Sequence, residues 1–419
     1  MTNFFCSAKW NELYLYLNHG LSNSCSHPIP HQIPLDELKE TPFALHNTVY
    51  KMEQQSLMLK GERPRECHMC WHIEDSNPDT KSDRHMKNAR WGNTQIFETN
   101  INYVPKFIEV VFDNLCNLSC SYCDSGQSST WAKILKTEGP FNLQTDYRNL
   151  YQKVHIAPGS TKQEYLDAWN KWWPQIKDQI EVLKVSGGEP LISPNFWNTA
   201  DALSNDNSSL TFRINSNLSV NQKYVERFAN LQDKIKELGI AASIDATGHI
   251  AEFARMGLDY KLFLENVKWY CENTGDNCKL NLQSTVNIFS VWGFKDKLNL
   301  SLELRAKYGK KITDFYSTVV RFPEFQSVLL LPEELRIGLG NDLENWLTFN
   351  KSMLNLNEIL LVKKIINYLI AEPKMLTDLD RQKLLQDVNT FTQRYEKLSK
   401  KPIDEVYGKS FVNWLKSPK

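Results

Sequence analysis

The 419-residue chain has no surplus of either charge: 49 Lys and Arg offset 49 Asp and Glu. No global field draws it towards nucleic acid or an anionic membrane, and neither is expected as a partner. No basic stretch followed by an apolar one is found near the first residues, so no signal peptide is read there. Long apolar runs are missing too. The most apolar helix candidate, 359–370, is short and carries Lys363, Lys364 and Asn367, too polar a segment to span a bilayer. Internal repeats and low-complexity tracts are absent. The expectation is a soluble, cytoplasmic protein, where nine cysteines at tight spacings argue for metal or catalysis before disulfides. Hydrophobic residues make up 41%, enough for a core, and the length suits two or three domains.

Three regions separate by pattern. Residues 1–102 hold four of the nine cysteines and open with a hairpin signal: a β-rich run at 13–17, the turn Asn18-His19-Gly20 and a second run. Residues 103–325 alternate strand candidates at 107–112, 180–185, 210–214, 240–245, 280–286 and 312–320 with amphipathic helical segments. Such alternation predicts a parallel sheet, flat or curled into a barrel. One crossover, 127–179, is long and carries Trp169, Trp172 and Trp173, which reads either as a buried aromatic cluster or as a lid or substrate wall. Residues 326–419 are helical, with an apolar stripe of Leu384, Val388, Phe391, Tyr395 and Leu398 that suits a core-facing surface.

Directly after the first strand candidate come Cys116, Cys120 and Cys123, spaced C-x3-C-x2-C. Three thiolates on one loop can ligate three corners of a [4Fe–4S] cubane and leave one iron open. Zinc is the alternative, but structural zinc takes four ligands, usually as two separated pairs. This spacing after a strand, with Tyr122 just before the third cysteine, resembles the signature of the radical S-adenosylmethionine (SAM) superfamily. The resemblance implies that Cys116, Cys120 and Cys123 bind the cluster and that Tyr122 lies against the adenine of SAM.

The next strand candidate runs into Ser186-Gly187-Gly188-Glu189-Pro190. Alone this is an ordinary strand-to-helix turn; after such a cysteine loop it is similar to the family element that binds the methionyl amine of SAM. Gly187, Gly188 and Glu189 take that role by resemblance. Asn215, Asn217, Ser243 and Asp245 lie at later strand ends, where related enzymes hold the ribose hydroxyls. The family's glycine-rich element on the fifth strand is not recognisable around Asn281 to Thr285.

Cys6, Cys25 and the pair Cys67/Cys70 form a second set that resembles a Twitch or SPASM-like auxiliary domain, placed before the barrel rather than after it. Four thiolates would close a second [4Fe–4S] cluster, and they would equally make a zinc site. His19, His68 and His72 read as surface or hydrogen-bonded residues, and Cys271 and Cys278 as inert thiols. The expected architecture is α/β: an N-terminal cysteine-rich module (1–102), a partial (β/α)6 barrel (103–325) and a C-terminal helical segment (326–419) that looks like decoration. The resemblance implies an enzyme that takes electrons from a flavodoxin- or ferredoxin-type donor, cleaves SAM reductively and abstracts hydrogen from a peptide or a small metabolite. A non-catalytic iron–sulfur or zinc protein is the rival reading, and it leaves residues 187–189 without a reason.

Overall fold

β-branched and aromatic runs bounded by turn residues become strands in the computed structural model, which describes residues 4–77, 80–92, 97–155, 162–204, 208–371 and 377–417. They are β1 (Glu12–Tyr16), β2 (Leu21–Asn23), β3 (His31–Gln32), β4 (Phe107–Val111), β5 (Ser119–Cys120), β6 (Val182–Val185), β7 (Thr211–Ser216), β8 (Glu237–Ser243), β9 (Arg255–Met256), β10 (Cys278–Val286) and β11 (Tyr316–Val319). Nine of them form one sheet in the order β11-β10-β8-β7-β6-β4-β1-β2-β3, and β5 pairs only with β9. From β11 through β1 every pairing is parallel; β2 and β3 add antiparallel strands at the edge. All six strand candidates of the central region are strands of this sheet.

The N-terminal hairpin forms as read, with Tyr14 opposite Asn23. Its first strand does more than pair with its own turn partner. β1 lies parallel to β4, Glu12 beside Phe107 and Tyr16 beside Val111, so the cysteine-rich segment continues the main sheet.

Strand periodicity divides the sheet into two unlike faces. One face carries Leu183, Val185, Phe212, Ile214, Leu238, Ile240, Leu280 and Leu282, buried in one core with helical residues such as Phe196, Phe228, Phe263 and Tyr270. At roughly 25 cal/mol per Å² of apolar surface, burial of this face is a dominant favourable term of the fold. The opposite face presents Lys184, Arg213, Asn215, Glu237, Asn281 and Gln283, which line a cavity of about 660 Å³. A doubly wound sheet would be apolar on both faces; this one is not.

The tryptophans of the long crossover settle one alternative. Trp169, Trp172 and Trp173, on helix Gln163–Ile176, are buried in the core on the apolar face, and Trp169 stacks on Trp173 at 5.3 Å. They are core, not a substrate wall; residues 156–161 of that crossover lie outside the described residues. Helices Glu333–Asn350, Leu356–Ile370 and Asp378–Ser399 build a second core, and the predicted stripe faces into it through Leu384, Val388, Phe391 and Tyr395. Among the described residues no helix is long and apolar enough to cross a membrane.

Candidate functional site

Parallel strands bring their C-terminal ends to one edge, where the connecting loops meet. β4 delivers the chain there to Asp113, whose carboxylate accepts from Ser193 Oγ (2.5 Å), Asn195 Nδ2 (3.2 Å) and Leu115 N (3.0 Å). The cysteine loop follows. Side chains from four separate segments satisfy its carbonyls: Trp131 Nε1 donates to Cys120 O (2.9 Å), Gln326 Nε2 and Tyr151 OH to Ser121 O (2.6 and 2.5 Å), and Tyr395 OH to Ser119 O (2.9 Å). Tyr395 comes from helix Asp378–Ser399, so the C-terminal region is part of the loop's scaffold and not decoration.

The two glycines lie against this loop. Gly187 (φ +78°) and Gly188 (φ +55°) adopt left-handed backbone, and a Cβ would stand 2.4 Å from Val111 Cγ1 at the first and 2.3 Å from Leu115 O at the second. Only glycine allows both the conformation and the approach. Glu189 N then donates to Leu115 O (2.6 Å), joining the two motifs directly.

A cavity of about 230 Å³ opens where they meet, lined by Cys116, Cys120, Cys123, Tyr122, Gly187, Gly188, Asn215, Asn217 and Ser243. Asn215 and Gln283 line this cavity and the larger polar one. Glu189 and Asp245 are not on its wall; both are buried. The Glu189 carboxylate accepts from Asn217 N (2.7 Å), Ser216 Oγ (2.8 Å) and Leu191 N (3.2 Å), tying the end of β6 to that of β7. Burial pushes its pKa up to about 7, against the pull of these donors. Asp245 accepts from Tyr122 OH (2.8 Å), Thr285 N (2.7 Å) and Arg255 Nη2 (3.0 Å).

Arg255 carries no sequence signal, since it follows a short helix in no recognisable motif. Its partner strand places it: β9 pairs with β5, setting Arg255 beside Cys120 with Nη1 3.8 Å from Sγ. Gln283 and Thr285 lie in the fifth-strand segment that shows no family element, and alternate positions on β10 acquire a role only once a neighbouring loop faces them.

The second cysteine set also converges. Cys6, Cys25, Cys67 and Cys70 line one cavity with Met58, Trp71, Arg84 and Lys87. It lies at the other end of the strands, because Cys6 precedes β1 and Cys25 continues β2 two residues past Asn23, the partner of Tyr14. The five-residue strand separates the two cysteine sites by roughly 13 Å or more. His68 and His72 are exposed and His19 half-buried, while Cys271 and Cys278 are buried in the core on the apolar face.

The donor sets fit iron–sulfur clusters. Burial pushes the thiols up, Cys120 and Cys25 to about 11 and Cys6 to about 12. Such groups ionise at neutral pH only when a bound cation supplies the compensating charge. Three sulfurs lining a cavity suit a cluster with one open iron, and four lining a single cavity suit a fully ligated cluster. Among the described residues no three Cys, His, Asp or Glu side chains converge on a single-ion position.

No family model and no curated protein sequence matches the chain. Solved structures of Streptococcus suis SuiB are similar over much of its length. SuiB bound to S-adenosylmethionine is 14% identical with a TM-score of 0.38, covering 81% of this chain and 69% of that one. SuiB bound to precursor peptide SuiA is 13% identical with a TM-score of 0.36, covering 83% and 70%. Likeness at this level assigns neither activity nor substrate.

Proposed function

We propose that the chain is a radical SAM enzyme built on a partial (β/α)6 barrel of β4, β6, β7, β8, β10 and β11. One observation carries the reading: three cysteines from one loop and two glycines with left-handed backbone from the next strand end meet on a single cavity. When bound, the cluster and SAM supply a 5′-deoxyadenosyl radical that abstracts hydrogen from the substrate.

Cys116, Cys120 and Cys123 hold the cluster. The backbone of Gly187 and Gly188 receives the methionyl end of SAM, and Asn215, Asn217 and Ser243 reach its ribose. Tyr122 faces the adenine, oriented by Asp245, which also fixes Arg255 beside Cys120. Glu189 acts through position, holding the glycine turn to β7. The substrate, a peptide or small metabolite, enters along the polar face, whose amides and charges favour hydrogen-bonding groups over apolar ones. Cys6, Cys25, Cys67 and Cys70 hold an auxiliary [4Fe–4S] cluster for electron transfer, and a flavodoxin- or ferredoxin-type donor supplies the first electron.

The test is direct. Anaerobically reconstituted, reduced protein should release 5′-deoxyadenosine and methionine from SAM even without substrate. Iron–sulfur protein that neither binds nor cleaves SAM would overturn the reading. Iron for one cluster together with one zinc would overturn the auxiliary cluster alone.

A further inference from the structure

Helix Val49–Leu59 buries one stripe, Lys51, Gln55 and Met58. Met58 lines the four-cysteine cavity, and Gln55 Nε2 donates to Lys9 O (3.2 Å). Lys51, 1% exposed, lies two turns earlier on the same stripe. Its ammonium donates to His46 Nδ1 (2.8 Å) and approaches the backbone oxygen of Glu12 at 3.4 Å. His46 Nε2 is 2.9 Å from Trp10 O, so the ring proton sits on Nε2 and the imidazole is a neutral acceptor for Lys51.

The other cations around this cavity have carboxylates. Lys9 pairs with Glu66, Lys87 with Glu12 (2.7 Å) and Arg84 with Glu74 (2.7 Å). Lys51 has none among the described residues. A buried ammonium with only neutral partners is costly, and in a low-dielectric interior it demands an anion. Burial and the like charge of Lys9 hold Lys51 well below the usual lysine range, and the sulfur of Cys25 and Glu12 act the other way.

We infer that Lys51 is a counter-charge of the four-cysteine centre, additional to Lys9, and favours its uptake of an electron. This rests on reading Cys6, Cys25, Cys67 and Cys70 as an iron–sulfur site. Four thiolates around an oxidised cubane make a dianion. One electron from a low-potential donor makes it a trianion, with no bond made and no proton moved. The anionic centre favours the charged form of Lys51, whose Nζ lies 3.4 Å from Glu12 O at the start of β1, and that charge stabilises the more negative form, so reduction occurs at a higher potential than it otherwise would. Zinc on the same thiolates is also dianionic but takes up no electron, so a redox measurement separates the two metals.

The experiment uses the full chain with Cys116, Cys120 and Cys123 replaced by alanine, reconstituted with iron and sulfide so that only the four-cysteine centre is loaded. Metal content is measured, and the reduced centre is followed by electron paramagnetic resonance during a dithionite titration. Lys51→Met should lower the equilibrium constant for reduction at least about tenfold, a shift of about 59 mV to lower potential for one electron. Lys51→Arg should stay within about twofold of the parent. A Lys51→Met potential equal to the parent's, with iron fully loaded, overturns the inference. Zinc in the parent instead of iron overturns the iron–sulfur reading, and the redox role with it. Should Lys51→Met fail to hold iron, urea unfolding of the metal-free proteins decides: the variant should have an unfolding constant at least about tenfold smaller than the parent's, and an equal or larger one overturns the inference.

Discussion

The two cysteine centres share strands but sit at opposite ends of them. The centre at 116–123 lies where parallel strands finish, on one loop held by side chains from remote segments, with three sulfurs and an adjoining polar cavity. The centre of Cys6, Cys25, Cys67 and Cys70 lies where β1 begins, with four sulfurs drawn from a strand flank, a hairpin end and a helix. Under the proposed function, three donors beside space would leave a coordination site for a second molecule, while four donors among Trp71, Met58 and paired charges would leave none. On that proposal, ligand number and surroundings together separate a place for chemistry from a place for electrons.

The strongest way to break this comparison is to remove one centre at a time. Cys120→Ala should halve the iron of fully reconstituted protein, from about eight to about four per chain, and abolish formation of 5′-deoxyadenosine. Cys67→Ala should remove the other half and leave substrate-free SAM cleavage in place. Iron analysis and chromatography of the products check both. With the centre at 116–123 as the upper one and that of Cys6, Cys25, Cys67 and Cys70 as the lower, cleavage lost in Cys67→Ala with the upper cluster intact would show that the two centres do not act separately.

A second experiment concerns the buried carboxylate that braces the upper site. In the folded protein the pKa of Glu189 lies near 7, above its ordinary 4.5, so folding favours the protonated form. Its stabilising contribution is complete below about 4.5 and lost as pH rises through about 7, a change of up to about 3 kcal/mol. Urea unfolding across that window should show the parent losing stability relative to Glu189→Gln. At low pH the glutamine protein should be the less stable of the two, because its amide nitrogen would face the backbone N–H of Leu191 or Asn217, and the gap should narrow as pH rises. Parallel pH curves for the two proteins would exclude a raised pKa.

Gly188→Ala sharpens the comparison at the backbone. With a Cβ 2.3 Å from Leu115 O, the glycine turn and the cysteine loop must part. SAM affinity should fall about tenfold or more, equivalent to about 1.4 kcal/mol, while iron bound by the lower centre stays constant. Calorimetric titration of SAM checks the first, and iron analysis in a Cys120→Ala background the second. Tyr395→Phe should act least, costing about 1 kcal/mol through the lost hydrogen bond to Ser119 O. It should lower cluster occupancy at 116–123 alone, measured by iron content in a Cys67→Ala background.

The upper site was legible where function depends on neighbours in sequence. C-x3-C-x2-C and Gly187-Gly188 are local because a loop and a tight turn are local objects, and the alternation of strand and helix patterns announced six strands of the sheet. Glu189 and Asp245 were legible as residues near a site but not in their positions. Both carboxylates turn inward to hold other groups, and no pattern along the chain distinguishes an inward from an outward carboxylate at a strand end. The tryptophans of the long crossover were open to two readings, because an apolar helix face looks alike over a core and over a substrate.

By itself the sequence determined the three-cysteine loop, the glycine turn, the strand–helix rhythm and the apolar stripe of the last long helix, since each is written in short-range spacing. Tertiary structure alone decided that β1 joins β4, that Tyr395 crosses the chain to hold Ser119, that Arg255 lies beside Cys120 and that four scattered cysteines share one cavity. Those outcomes depend on pairings between residues far apart in the chain. Strand register and core packing set them by burying one apolar face, and no short window of sequence contains both partners.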